Sequence, residues 1–383
     1  MKIAIVVPPW VRVPPEGYGG IELVVGLLAD GLVKKGHEVT LYTVGSSRSK
    51  AGVKFFFEHP MFQASCGDVS SFLNVAVTHS LWAYMDIERE GYDVVHDNTW
   101  KEGLACARFI STPVVHTIHG NFNWENRKFY GMFVGDGHVG FVTVSRFLME
   151  SFPGLNYLGV VYNAVDVSRY PFREEKEDYY VYVGRFNEEK APHIACKVAS
   201  ELGVKLYLAG KVREEREKEY FNAHVKPYLN DNIKYLGEVS EEEKLRLLSH
   251  AKAYLFPIQW DEPFGITMIE ALACGTPVVT FRRGSAPEVV EHCRTGFVVD
   301  TVEEFAAVLS EVEAINPRKC RERVEETFSV ERMVDGYEKA YREMARKRVA
   351  EPWLNHRLRT TGGSWKRKDS TGPGFLTGKP SSR

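Results

Sequence analysis

Glu262 and Glu270 stand eight residues apart in the segment Asp261-Glu262-Pro263-Phe264-Gly265-Ile266-Thr267-Met268-Ile269-Glu270. Pro263 and Gly265 punctuate the chain after an apolar run, and a helix is expected from about Ile266 to Gly275. Glu262 then lies in the loop at the strand mouth, and Glu270 one turn into the helix. Two carboxylates at different depths can accept hydrogen bonds from the hydroxyls of one extended ligand. The bare amides at the helix start suit a phosphate. Taken alone, the pair fits equally a surface acid and an acid favoured by the helix dipole. A second cluster, Gly184-Arg185-Phe186-Asn187-Glu188-Glu189-Lys190, follows another strand pattern. Arg185 chelates phosphate oxygens with paired donors, and Lys190 adds a compact charge, so a diphosphate clamp and a charged surface turn are the competing readings. Gly17-Tyr18-Gly19-Gly20 precedes a helical pattern but fails G-x-G-x-x-G, because Glu22 occupies the last position. Gly19 and Gly20 remain as a loop that lets a ligand come close to a helix start. His119 ends the run Val114–Ile118, while His116 falls on the opposite strand face and so offers no paired metal site. No P-loop, serine nucleophile elbow or H-E-x-x-H is present.

The elements that must position these groups alternate along the chain. Ile3–Val7, Val39–Val44, Val94–His96, Val114–Ile118 and Phe141–Val144 read as strands, with helical patterns between them, among them Ser71–Glu90 and Lys101–Phe109. Pro171 and the charged run Arg173–Asp178 mark a linker within Val165–Asp178. The alternation restarts with strands at Tyr180–Val183, Lys205–Ala209, Ile233–Leu236, Ala253–Phe256, Pro277–Phe281 and Phe297–Val299. Helices are expected at Ile194–Leu202, Arg213–Tyr228 and Val330–Ala345. Such an order implies parallel sheets covered on both faces, with ligands at the carboxyl ends of the strands. The expectation is an α/β chain of two doubly wound domains, 1–168 and 178–329, facing across a cleft.

Bulk properties narrow the classes. At 383 residues, two domains are natural, and a net charge of −2 gives no reason to expect nucleic acid. Six scattered cysteines offer no C-x-x-C spacing, which suits buried free thiols in a reducing compartment rather than a disulfide frame or zinc. The N-terminal apolar run is too short for a signal peptide, and no stretch reaches the roughly 18 apolar residues of a membrane span. A cytoplasmic protein is expected. Residues 351–383 carry seven Lys/Arg and two Asp/Glu, a net of +5, with few aliphatic residues. They read as a solvated, disordered tail, with peripheral contact to anionic lipid at the inner membrane face as the alternative.

In order along the chain, these segments resemble glycosyltransferase family 4, with its GT-B fold of two Rossmann-like domains. The resemblance runs through almost all of residues 1–345. It rests on Gly19-Gly20, Gly36-His37-Glu38-Val39, the strand ending at His119, Val144-Ser145, Asn163-Ala164-Val165-Asp166, Gly184-Arg185 with Lys190, Glu262-Pro263-Phe264-Gly265 with Glu270, and Gly275-Thr276-Pro277-Val278-Val279. It implies a retaining transfer of a hexose from a UDP- or GDP-linked donor, without cofactor or metal, to an acceptor left open as lipid, saccharide or small metabolite. By this resemblance Arg185 and Lys190 hold the donor diphosphate, and Glu270 the ribose hydroxyls. Glu262, with the amides of Phe264 and Gly265, binds the donor sugar, and His119 contacts it from the first domain. Gly19 and Gly20 approach the phosphates or the acceptor, Gly184 belongs to the donor-binding set, and a last helix near 330–349 crosses back to the first domain. Ala191 departs from the family, which often has glycine there. A nucleotide-sugar epimerase and a non-catalytic nucleotide-sugar binder are the rival readings.

Overall fold

A computed structural model describes residues 1–17, 19–62 and 69–346. Seven strands build the first sheet: β1 (Lys2–Val6), β2 (Glu38–Thr43), β3 (Gly52–Phe55), β4 (Val94–Asp97), β5 (Val114–Ile118), β6 (Val139–Thr143) and β7 (Tyr157–Val160). Six build the second: β8 (Glu177–Val183), β9 (Leu206–Ala209), β10 (Ile233–Gly237), β11 (Ala251–Phe256), β12 (Val278–Phe281) and β13 (Gly296–Val299). The orders are β3-β2-β1-β4-β5-β6-β7 and β10-β9-β8-β11-β12-β13, parallel throughout. Each order reverses beside its first strand, which opens a crevice at the carboxyl ends of β1 with β4 and of β8 with β11. Central strands such as Ile3–Val6, Val114–Ile118 and Val278–Phe281 are buried on both faces, as their unbroken apolar runs require. Two tandem Rossmann-like domains therefore form the chain.

Two strands escaped the sequence pattern. β3 and β7 are edge strands whose side chains stay half-exposed, and Gly159 interrupts β7, so neither carries a continuous apolar run. The charged helix expected over Arg213–Tyr228 is shorter. It runs from Glu215 to Tyr220, widens into a π-type turn at Phe221–Val225, and closes with a 3₁₀ turn at Lys226–Tyr228. Pro227 lacks the amide an α-helix needs there. Phe221 also packs its ring on Phe186 and Tyr235, with centroids 5.5 and 4.6 Å apart. The expected linker is tied down rather than loose. Arg321 donates to the carbonyls of Val167 (2.9 Å), Tyr170 (2.9 Å) and Ala273 (2.7 Å), and Lys176 Nζ to Ser249 O, Thr276 Oγ1 and Cys274 O. The last two residues of the charged run, Glu177 and Asp178, already belong to β8. None of the five described cysteines is bridged. Cys196, Cys274 and Cys320 are buried, but Cys106 is only partly so and Cys293 is exposed, contrary to a uniformly buried set.

The helix Val330–Arg346 leaves the second domain and docks on the first, burying Met333, Val334, Tyr337, Tyr341 and Met344. A hydrogen-bonded chain anchors it. Tyr341 OH meets His96 Nδ1 at 2.7 Å, His96 Nε2 meets Thr117 Oγ1 at 2.7 Å, and Thr117 Oγ1 meets Tyr337 OH at 3.0 Å. On the outer side Lys35 pairs with Asp335 and Glu338. Residues 347–349 of the expected crossing helix, and the basic tail at 351–383, lie outside the described residues. Among the described residues no helix is long and apolar enough to cross a membrane.

This buried polar chain has measurable consequences. Tyr341→Phe leaves His96 Nδ1 without its partner and is expected to cost about 1–3 kcal/mol in denaturant unfolding. Burial holds His96 well below its ordinary value and His79 down to about 4. Both therefore stay neutral when folded and take up protons more readily when unfolded. Their contribution is complete above about pH 6.5 and lost as pH falls towards the folded values, so the melting temperature is expected to drop steadily below pH 6.5.

Candidate active site

The cleft opens where both sheets end. After β8 the chain turns through Gly184 and Arg185, and after β11 it runs through Trp260 and Glu262 into the helix Ile266–Ala273. From the first domain come His119 after β5, Trp100 after β4, and the start of the helix Gly20–Lys34 after β1. Together they line a cavity of about 280 Å³. Gly20 and Ile266 begin helices of opposite domains that face one another across the cavity. A Cβ on Gly20 would lie 3.2 Å from Ile266 Cδ1, a tight contact that the bare backbone relieves. The helix at Ile266 starts after Gly265, whose φ is +80°, and Ile266 and Thr267 lie on the cavity wall. The unpaired amides of that first turn are therefore at the cavity.

Of the residues read from the sequence, Arg185, Lys190, Glu262, His119, Phe264, Gly265, Gly20 and Gly184 all line this one cavity, although they come from both domains. Glu270 and Gly19 do not. Glu270 sits one turn behind Ile266, 4% exposed, with Oε1 accepting from Lys244 Nζ (2.9 Å) and Tyr170 OH (3.1 Å). Both recorded bonds fall on Oε1, which leaves Oε2. Gly19 lies behind Gly20, against Pro15 and the carboxyl of Glu22. Phe264 turns its ring into the core against Phe328 and Tyr162, so only its backbone is offered to a ligand.

The charges are arranged in two states of engagement. Lys190 Nζ is ion-paired with Glu262 Oε2, and lies 5.1 and 5.2 Å from the ring centroids of Phe256 and Trp260. The same oxygen of Glu262 accepts from Trp260 Nε1 at 2.8 Å. Arg185 is more open, 36% exposed, with Glu189 at 3.6 Å as a loose counter-charge. His119 is pushed down to about 3 by burial, with a smaller contribution from His116, so it is a neutral imidazole at physiological pH. Its Nε2 donates to Asn98 Oδ1 at 3.0 Å, which leaves the Nδ1 lone pair to accept a hydroxyl. His116 does face away, between Asp97 (2.7 Å) and Tyr130 (3.1 Å). Burial raises Glu22, beside the glycine loop, to about 7.

Several contributors were not read from the sequence. Gly284 (φ +54°) supports the Glu262 loop from below, because a Cβ there would come within 2.3 Å of Glu262 O and 2.4 Å of Glu262 N. Ser285 N then donates to Glu262 O at 2.8 Å. Glu288 reaches across to the first domain, accepting from Arg146 N and Phe147 N (both 2.8 Å) and from Tyr162 OH (2.9 Å). Trp260, Asn163 and Thr267 also line the cavity. The run Gly284-Ser285-Ala286-Pro287-Glu288 after β12 carries a turn-and-helix-start signal, but no spacing rule ties it to Glu262 or to the first domain.

This geometry coincides with known sequence families. The model described as Glycosyltransferase Family 4 matches residues 18–169, and that described as Glycosyl transferases group 1 matches residues 168–327. An uncharacterized glycosyltransferase of Methanocaldococcus jannaschii is 25% identical over 331 residues, covering 76% of this chain and 83% of that protein. Among solved structures, AviGT4, a glycosyltransferase involved in avilamycin A biosynthesis, superposes with a TM-score of 0.67 at 26% identity, covering 90% of this chain and 98% of that one. HepE of Anabaena, in complex with UDP and glucose, shares the fold at a TM-score of 0.68 and 18% identity, covering 90% of this chain and all of that one (100%). Two matched models laid end to end over a cleft of this construction identify the chain as a member of glycosyltransferase family 4, a transferase with the GT-B fold.

Proposed function

We propose that the enzyme moves a hexose from a UDP- or GDP-linked donor to a hydroxyl acceptor, with retention at the anomeric carbon and without a metal ion. One observation carries the reading. Arg185, Lys190 and the start of the helix Ile266–Ala273 share a single cavity with Glu262 and His119. Two cations and a helix N-terminus supply the positive charge that a departing diphosphate demands, and they need no ion to assist them. A carboxylate and a neutral imidazole accept hydrogen bonds from sugar hydroxyls. The binding of UDP and glucose by HepE, which has the same fold, supports a nucleotide-sugar donor.

On donor entry Lys190 exchanges Glu262 for the diphosphate, whose charge is larger. Glu262 keeps the Trp260 N–H and turns its freed capacity to the sugar hydroxyls. His119 accepts from the sugar on the first-domain side, and Glu270 Oε2 receives the ribose hydroxyls. In the transfer the bond from the anomeric carbon to the diphosphate oxygen breaks as the acceptor oxygen approaches the same face. The acceptor proton passes to the leaving diphosphate oxygen, and Arg185, Lys190 and the helix amides hold the resulting anion. Closure of the domains around the donor excludes the water that would hydrolyse it.

Thermal shift separates the parts. UDP or GDP is expected to raise the melting temperature equally with and without EDTA, since only a ligand of the native state does so. The absence of any nucleotide shift, or a shift that EDTA removes, defeats the reading. Arg185→Ala should lower turnover, followed as nucleoside diphosphate release, by roughly 100- to 1,000-fold; turnover unchanged at saturating donor would refute the leaving-group role. Glu262→Gln breaks the ion pair with Lys190. It is expected to bind the free nucleotide diphosphate as tightly as the parent or more so, yet to lose the added shift that the attached sugar gives.

A further inference from the structure

Trp100 stands on the first-domain wall of the cleft with its ring uncommitted. It follows β4, lines the same cavity as Arg185, Lys190 and Glu262, and is 46% exposed. Gly120 carries one edge of the indole. A Cβ there would lie 3.0 Å from Cη2 and 3.1 Å from Cζ3, a tight contact that the bare backbone relieves. His119 is the next residue back, so the indole and the imidazole that accepts from the donor sugar form one stretch of wall. Among the described residues no ring stacks on Trp100 and no group pairs with its Nε1. So large an apolar surface gains most when something covers it.

We propose that the acceptor is a neutral saccharide and that the indole of Trp100 is the platform on which its ring stacks. The inference rests on the nucleotide-sugar reading above and adds the acceptor to it. A pyranose carries its hydroxyls around the rim and shows C–H bonds on its faces. A flat aromatic ring can therefore cover one face and leave the hydroxyls to polar groups. Two small hollows adjoin the indole and supply such groups. Glu102 lines one of them, half-buried, and among the described residues no Lys or Arg pairs with its carboxylate. Asn98 lines the other together with His119, and its buried Nδ2 lacks a partner. One offers an acceptor and the other a donor, and a hydroxyl answers both. Charge disfavours an anionic acceptor. The described first-domain residues that line the cavity and the two hollows include no Lys or Arg. A phosphorylated or carboxylate acceptor would meet Glu102 with no cation of its own, since Arg185 and Lys190 are engaged by the donor. An acyl chain is no better served. The hollow at Glu102 holds only about 20 Å³, is walled by the stacked rings of Trp10 and Phe72, and contains that charge.

The test follows nucleoside diphosphate release from the full chain, using the UDP- or GDP-hexose whose nucleotide raises the melting temperature. Glucose, mannose, maltose and cellobiose are offered as acceptors beside the matching sugar phosphates, glycerol phosphate and micellar diacylglycerol. A neutral saccharide should accelerate release above the rate with donor alone, and the other acceptors should not. Trp100→Ala and Trp100→Leu should each raise the KM for that saccharide roughly 10-fold with kcat nearly kept, and Trp100→Phe, which keeps a flat ring, should restore most of the loss. The nucleotide thermal shift, retained in these variants, reports an intact fold and donor site. Faster release with a phosphate or with diacylglycerol than with any saccharide overturns the proposal. So does an acceptor KM indifferent to Trp100→Leu. A nucleotide shift in the wild type with no saccharide accelerating release overturns it too, while leaving the donor reading in place. A wild type without that shift sinks the donor reading itself, and this proposal with it.

Discussion

A parallel sheet offers its loops and its unpaired helix amides at the carboxyl ends of its strands, and a two-domain transferase works only when two such ends are held face to face. In this chain a single carboxylate does much of the holding. Glu288, on the second domain, receives the amides of Arg146 and Phe147 and the hydroxyl of Tyr162 from the first. Those amides begin a helix, so the carboxylate meets both hydrogen-bond donors and the positive end of a dipole. Asn121 Nδ2, donating to Asp261 O at 2.6 Å, adds a second crossing beside Glu262. The C-terminal helix closes the arrangement from behind by docking Tyr337 and Tyr341 on the first sheet.

Within that frame the cleft is electrostatically satisfied before any ligand arrives. Lys190 and Glu262 neutralise one another, and Trp260 holds the carboxylate in place through its indole N–H. A buried cation and a buried carboxylate left apart would each bear a desolvation cost of several kcal/mol, so pairing is the stable resting state. The pairing also sets a condition on ligands. Whatever enters must offer Lys190 an anion and Glu262 a donor group, and a phosphorylated sugar does both. His119 plays a different part because its burial keeps it uncharged, which makes it a directional acceptor rather than a further cation.

Much of this was legible in the amino-acid sequence. Arg185 with Lys190, and Glu262 with Gly265, could be found because each set lies within a few residues of one strand mouth, and local spacing is what sequence displays. The strand-and-helix alternation was legible for the same reason, since apolar periodicity is local. What escaped was set by neighbours distant in the chain. β3 and β7 form only because β2 and β6 present edges to them. Glu270 sits at the expected helical position, yet Tyr170 and Lys244 occupy one of its oxygens, and neither can be seen from the motif that contains Glu270.

Residue order by itself determined the two-domain α/β plan and the family, and it brought out most of the side chains that line the cleft, because those follow from patterns a few residues long. Tertiary structure alone decided that Gly20 packs close to Ile266 across the cleft, that Gly284 carries the Glu262 loop, and that Glu288 joins the domains. Each of these is a matter of distance between atoms well separated in the chain. Such distances are fixed by how the two sheets twist and pack, not by spacing along either one.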